Sequence, residues 1–448
     1  MNEIIALIAC LEQSLPGTTQ RQLARIMTAM LTMTGRVTML GICRWTEEGG
    51  SYRTIQRFFH TAISWLPLFW LFFRHHLYER GHEYLLAGDE SVVTKSGKKT
   101  YGLDRFFSSI YGRPVLGLAF FTLSLIDVQN ESSSPIMVEQ VIRTEEEKKE
   151  AKAKKKKKKK SKGTKKRGRP KGSKNKDKTQ VEWTAELLQI SGMTKKVLQL
   201  VLSLTPLHYM VLDGHFGNNN ALQMVRQCGL HLISKLRYDS ALHFLYDGEQ
   251  KAKGPDKRYG EKIDYQHIPE QYLLKSFTEN QVRTEIYQAQ MLHQSFAGLL
   301  NVVIIVKYNL QTQKRRHVIL FSSDLELSAE KIIHYYSLRF QIEFNFRDAK
   351  QFWGMEDFMV LKETAVINSV SLSLFMVSLS QRLLRDFRRD SVNAGVLDLK
   401  AHFRGRKYAA ETIKMLPEKP DPILLQRIFD HIASLGRVHD PQVPLQPT

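Results

Sequence analysis

The sequence predicts an α/β fold, a mixed sheet with helices on its faces, carrying an N-terminal helical region and a β-rich insertion. Three observations predict it. EYLLAGDESVVT (83–94), broken only by Asp89-Glu90, and VLGLAFFTLSLIDV (115–128) are continuous apolar runs of strand character. From residue 181 helical and strand patterns alternate: VEWTAELLQISGMTKKVLQLVLSL (181–204) is helical, HYMVLDG (208–214) is a strand ending in Asp213 at a glycine turn, and a helix near 217–228 precedes the strand HLISKLR (231–237). Strands followed by such alternation imply a mixed sheet. Between Arg237 and Ser328 the text is strand-rich again, with GEKIDYQHI, QVRTEIYQAQM, LLNVVIIVKYNL and KRRHVILFSSD, the last two forming a hairpin around Gln311-Thr312-Gln313.

In chain order, residues 1–80 read as helical. A turn at Pro16-Gly17-Thr18-Thr19 leads into QRQLARIMTAMLTMTG, and Gly49-Gly50 breaks the chain before SYRTIQRFFHTAISW. Ser51 is a good cap for a helix with Arg53, Gln56 and Arg57 on one side and Ile55 and Phe58 on another. A short helix, a Gly-containing connection and a second basic helix resemble a helix-turn-helix, with Arg53 and Arg57 as DNA contacts; a plain bundle helix fits the same pattern. The expected divisions are an N-terminal DNA-binding domain (1–80), a catalytic core in two parts (81–147 and 179–238), a lysine-rich insertion (148–178), a β-rich insertion subdomain (239–327), a helix closing the core (328–385) and a C-terminal helical region (386–448).

The 448 residues carry a formal charge of +21. Residues 148–178 hold 19 Lys or Arg against Glu150 and Asp177, a local balance of +17, which leaves about +4 for the rest. Such a segment cannot bury apolar surface and is expected to be disordered when free. Within it, Arg167-Gly168-Arg169-Pro170 resembles the AT-hook core, in which Arg side chains enter a narrow A·T-rich minor groove. Cys10, Cys43 and Cys228 are scattered, which excludes a disulfide framework or zinc site and suits a reducing compartment. No basic region precedes an apolar run at the start, so a signal peptide is not expected. ISWLPLFWLFF (63–73) is short and contains Pro67, and residues 364–381 contain five serines, so both read as buried helices rather than membrane spans.

The chemistry-bearing stretch is SAEKIIHYYSLRFQIEFNFRDAK (328–350). On a helical wheel at 100° per residue with Tyr336 at zero, Arg339, Glu343, Lys350 and Arg347 fall at about 300°, 340°, 320° and 20°. Tyr335, Leu338, Ile342, Phe346 and Ala349 gather on the other side, so one face buries and the other presents a carboxylate among cations and a phenol. Ser328 is the expected N-cap. Asp89 and Asp213 complete a set of three acids; a carboxylate in an apolar strand is costly unless paired or metal-bound. Glu90, Asp104 and Asp127 are alternatives that pattern alone leaves open.

Tyr336, Arg339, Glu343 and Lys350 match the spacing Y-x2-R-x3-E-x6-K, and in this the chain resembles the insertion sequence 4 group of DDE transposases. TKSGKKTYG and FSSIYGRPVLG after Asp89 are similar to the family's stretch after its first aspartate, and the order of strand Asp, strand Asp, β-rich insertion and helix Glu agrees. The resemblance covers about residues 1–400. It implies an RNase H-like core in which Asp89, Asp213 and Glu343 hold two Mg2+ ions, with Mn2+ able to substitute. Water, and later a DNA 3′-hydroxyl, would attack phosphodiesters at the ends of the element and at its target, by cut and paste. Tyr336, Arg339 and Lys350 would grip DNA phosphates. Outside the family signature, Arg347 on the same face and His215 in the turn after Asp213 are further candidate contacts, and a structural histidine fits His215 at least as well. The implied partners are double-stranded DNA, as terminal inverted repeats and target, and a second copy of the chain on that DNA, with residues 380–440 a candidate interface. No membrane is expected, and the implied location is the cytoplasm at a prokaryotic nucleoid. An RNase H-like nuclease that cuts without joining, or a domesticated non-transposing DNA-binding protein, are the alternatives. One departure concerns base stacking: some relatives stack a flipped base on a tryptophan of the β insertion, whereas here no Trp lies between Trp183 and Trp353, leaving Tyr259, Tyr265, Tyr287, His293 or Phe296.

Overall fold

A computed structural model describes residues 2–46, 49–108, 111–144, 177–389 and 391–439. The chain begins with helices α1 (Asn2–Leu7), α2 (Gly17–Thr32), α3 (Met39–Trp45), α4 (Tyr52–His60) and α5 (Trp65–His76). Ser51 caps α4 as expected, its hydroxyl accepting from Thr54 N, and Thr38 caps α3 through Gly41 N. Pro67 lies in the first turn of α5, where a missing N–H costs no helical bond.

Four strands follow, β1 (Tyr84–Thr94), β2 (Asp104–Ser108), β3 (Arg113–Asp127) and β4 (Ser132–Val141). Then come α6 (Ala185–Val201), β5 (Leu207–Leu212), α7 (Asn219–Gln227) and β6 (His231–Leu236). The order β4-β3-β1-β5-β6 places three antiparallel strands beside two parallel ones whose crossovers contain helices. This mixed α/β sheet flanked by helices is the expected RNase H-like arrangement.

The insertion contributes β7 (Leu242–Leu245), β8 (Tyr259–Lys262), β9 (Leu273–Glu279), β10 (Val282–His293), β11 (Leu299–Asn309) and β12 (Arg315–Ser322). The β11–β12 hairpin turns where the sequence placed it. These strands do not form a sheet of their own. β12 pairs antiparallel with both β6 and β11, so catalytic and insertion strands share one sheet, of 12 strands among the described residues.

The remaining helices are α8 (Ala329–Leu338), α9 (Gln341–Gln351), α10 (Glu363–Phe387), α11 (Val396–Lys414) and α12 (Pro422–Ser434). Residues 328–350, read from the sequence as one helix, are therefore two. The break has a packing cause. On one sheet face, Ile332, Tyr335 and Leu338 of α8 bury against Leu85, Ala87, Val211, Ile233 and Leu320. Ile342, Phe346 and Ala349 of α9 bury instead in the larger core, shared with the N-terminal helices, α6, α7, α10 and α11. Serving two cores tightens the junction to i→i−3 bonds: Phe340 N donates to Ser337 O, Ile342 N to Arg339 O and Glu343 N to Phe340 O, at 3.0–3.1 Å.

The serine-rich stretch 364–381 falls within α10. By length and composition this helix could cross a membrane, but 83% of its most apolar window is buried in the protein. Its serines bond backbone, as Ser369 Oγ does to Ala365 O and Ser373 Oγ to Trp353 O. Arg167, Arg169 and most of the lysine-rich insertion lie outside the described residues.

Candidate active site

Side-chain alternation on two neighbouring strands builds the site. Leu85 and Ala87 of β1 and Val211 of β5 share one face, and β1 and β5 run parallel with Ala87 beside Val211 and Gly88 beside Leu212. Stepping two residues on, Asp89 and Asp213 project from that same face. Asp213 ends β5 and turns the chain: its Oδ1 accepts from His215 N at 3.1 Å, and its carbonyl accepts from Ser234 Oγ at 2.7 Å.

The break between α8 and α9 brings the third acid to this point. Arg339 Nη1 donates to Asp89 Oδ2 at 3.0 Å, and Nη2 donates to Glu343 Oε1 at 3.1 Å. The Arg339 side chain is 14% exposed, against 21% for that of Asp89 and 42% for that of Glu343. One arginine thus ties a strand carboxylate to a helix carboxylate 254 positions later in the chain.

The electrostatics agree with this proximity. Burial raises the Asp89 carboxyl to about 6; Arg339 and the Glu90 N–H oppose the rise, and Asp213 and Glu343 add to it. Burial also raises the Tyr336 phenol, with Arg339 lowering it and Asp213 and Asp89 raising it, so Tyr336 belongs to the same cluster. Among the described residues no three His, Cys, Asp or Glu stand in metal-holding geometry. The donor set nonetheless suits a hard divalent ion, being three carboxylates with oxygen donors only and one guanidinium to balance them.

Other sequence candidates take different positions. Lys350 Nζ donates to Val92 O at 2.8 Å and lies 3.4 Å from Glu356 Oε1, fastening α9 to β1. Arg347 is exposed, bonded to Asp348, with its guanidinium 4.6 Å from the Phe344 ring centroid. His215 lies 3.5 Å from Glu186, and that contact is the main cause of its raised pKa. Arg53 and Arg57 lie on the exposed side of α4, in the N-terminal bundle.

The alternative acids are placed elsewhere. Glu90 faces the opposite side of β1, where burial and Glu186 raise its pKa. Asp127 is buried at a turn, bonding His82 Nδ1, Asn130 and Gln129 N. Asp104 is in β2, on the edge of β3 away from β1, and accepts from Arg105 N. Of the aromatic residues of the insertion, Tyr287 and Phe296 are buried, Tyr265 donates to Ser240 O and stacks on His317, and Tyr259 and His293 pack edge-on against His243 and Phe296.

The sequence reading missed Ser234 and Glu186, which hold Asp213 and His215. Ser234 is a fully buried polar residue of β6 flanked by the apolar Leu232, Ile233 and Leu236, though His231 and Lys235 in the same strand make it stand out little in the sequence; Glu186 looks like any first-turn acid. It also missed where the lysine-rich insertion joins the fold. Before it, Arg143 acts electrostatically on Glu90; at its last residue, the Lys178 carbonyl accepts from Asn219 Nδ2, in the segment following Asp213.

Residues 10–295, which include Asp89 and Asp213, match the family described as DDE superfamily endonuclease. Residues 282–392, which include Glu343, match that of the archaeal putative transposase ISC1217. No curated protein matches the chain. With well over half its length inside the first match, the chain belongs to the DDE superfamily of endonucleases and transposases.

Proposed function

We propose that the chain is the transposase of an insertion sequence in the insertion sequence 4 group, acting by cut and paste on terminal inverted repeats and a target duplex. The observation that carries this reading is the single cluster formed by Asp89, Arg339 and Glu343, with Asp213 beside it on the next strand. It unites the Tyr, Arg and Glu of the Y-x2-R-x3-E-x6-K spacing with the two strand acids.

In this reading Asp89, Asp213 and Glu343 hold two Mg2+ ions, or Mn2+ in their place. Ions bound there supply activation of the attacking oxygen and stabilisation of the leaving one. Asp213 is oriented by its bonds through His215 and Ser234, and Glu343 by the start of α9. Tyr336 and Arg339 contact phosphates beside the cut, and exposed Arg347 and His215 extend that contact. Lys350, with two donors engaged on Val92 and Glu356, offers its third to the same strand. Arg53 and Arg57 on α4 bind the element's ends, and the insertion with Arg167 and Arg169 adds a salt-sensitive grip. A second copy joins through residues 380–440, where Met415, Ile423, Leu424 and Leu435 are exposed apolar side chains. The site of action is the cytoplasm at the nucleoid.

Asp89→Ala, Asp213→Ala and Glu343→Ala each abolish cleavage of a labelled duplex carrying the element's end, while binding in Ca2+ persists. Cleavage that survives any one of them refutes that acid's role. Cleavage without joining to a target duplex, by the unaltered chain, makes it a nuclease instead.

A further inference from the structure

Arg339 occupies the oxygens that a divalent ion at this site would need. Its two terminal nitrogens lie 3.0 Å from Asp89 Oδ2 and 3.1 Å from Glu343 Oε1. The side chain is largely buried, and its Nε has no hydrogen-bond partner. A buried donor left unpaired is costly, so this seat satisfies the acids better than it satisfies the arginine.

The two carboxylates come from separate elements, and the guanidinium is the contact that joins them. Without it, Asp89, Asp213 and Glu343 would face one another with no cation between them. Like charges at this range repel strongly in a partly buried setting. A divalent ion arriving on Asp89 Oδ2 and Glu343 Oε1 meets a guanidinium already seated on both, and two cations that close repel.

We infer that Arg339 is a resident cation that holds Asp89 and Glu343 together until divalent ions displace it, and that displacement hands its guanidinium to a DNA phosphate. This rests on the reading that the three acids bind divalent ions. It adds an order of events: ion entry and DNA grip are linked, because one side chain leaves the first partner to serve the second. The planar fork, including the Nε that lacks an acceptor here, matches a phosphate through two parallel N–H bonds. Linkage then requires DNA to tighten ion binding as much as ions tighten DNA binding.

The test is Ca2+ binding to the full chain without DNA, by titration calorimetry, for wild type, Arg339→Gln, Arg339→Lys and Asp213→Ala. Arg339→Gln removes the competing charge and binds Ca2+ about tenfold tighter, a gain of about 1.4 kcal/mol. Arg339→Lys keeps the charge but spans the two acids less well, and its affinity falls between the other two. Adding a short duplex raises the Ca2+ affinity of wild type more than that of Arg339→Gln. A purely structural Arg339 predicts the opposite sign, since loosening the acids weakens Ca2+ binding. Equal or weaker binding by both Arg339 variants overturns the inference and leaves the acids' role standing. No Ca2+ binding by wild type, or binding unchanged in Asp213→Ala, overturns the reading of the acids beneath it. Melting curves check folding, and if Arg339→Gln does not fold, the comparison with Arg339→Lys decides.

Discussion

Asn368 of α10 bonds none of the three acids, its partners being Phe59, Thr61 and Trp65, yet its replacement should weaken DNA binding. Its side chain is buried and fully engaged. Nδ2 donates to Phe59 O at 2.8 Å and to Thr61 O at 2.7 Å, and Oδ1 accepts from Trp65 Nε1 at 2.8 Å. These bonds fasten the end of α4, the helix bearing Arg53 and Arg57, and the start of α5 to the central helix. Asn368→Leu keeps the volume roughly constant and strands two carbonyls and an indole N–H. At about 1–3 kcal/mol for each unsatisfied buried group, with some relief by water, the expected loss is about 3–6 kcal/mol. Thermal melting should fall by about 3–6 °C, given the unfolding entropy of a chain of this length. Trp65→Phe removes one of the same bonds, so in a double-mutant cycle its cost shrinks by about 1 kcal/mol or more when Asn368 is already Leu. Binding of the element's end weakens in parallel, without any change to a DNA-contacting side chain. A loss under about 1 kcal/mol, or strictly additive effects, would refute the claim that this network aims α4.

Two further outcomes test other parts of the molecule. Burial holds the Lys400 ammonium down at about 8, where its Nζ donates to Met30 O and lies 4.8 Å from the Trp353 ring centroid. The unfolded chain therefore binds the extra proton between pH 8 and 10.5, and stability contributed by this group rises with pH across that window, by roughly 3 kcal/mol at most. Urea melts at pH 7.5 and 10 should show that rise in wild type and lose it in Lys400→Met; parallel pH profiles would count against it. Deleting residues 148–178 should flatten the salt dependence of DNA binding, by about 0.9 in log–log slope for each phosphate that the shortened chain leaves unneutralised. An unchanged slope in a fluorescence anisotropy titration would leave that segment a linker.

The parts of this fold that were legible in the sequence are those where one physical signal dominates. β1 and β3 are buried along most of their length, so their apolar runs announce them. β4 was not foreseen because Ser132, Ser133, Ser134 and Pro135 hide its start. Ser133 and Ser134 are buried, and Ser133 is held by bonds: its Oγ accepts from Asn345 Nδ2, and its carbonyl accepts from Gln381 Nε2. The pairing of β12 with β6 was equally hidden, since strand neighbours 80 residues apart leave no local trace. At the site, spacing found Arg339 and Glu343, and their bond is an i,i+4 contact that a wheel can show. That Arg339 also reaches Asp89 depends on the break after Leu338, which no Gly or Pro marks. Arg347 lies one turn beyond Glu343 in α9 and is exposed, bonded to Asp348 with its guanidinium against Phe344.

The shared sheet has a consequence for the substrate. Hydrogen bonds run without interruption from β3 through the Asp89 strand to β6, β12 and the far strands of the insertion. No loop along that path can act as a hinge between Asp89 and the insertion. A duplex that touches both must therefore conform to a surface of fixed shape, and the work of conforming falls on the DNA. Smoothly bending a site of 20–30 base pairs by 40–90° costs on the order of 1–6 kcal/mol, depending on the flexibility of its steps. Under the proposed function, base pairs that no side chain touches would then influence the choice of site through stiffness alone.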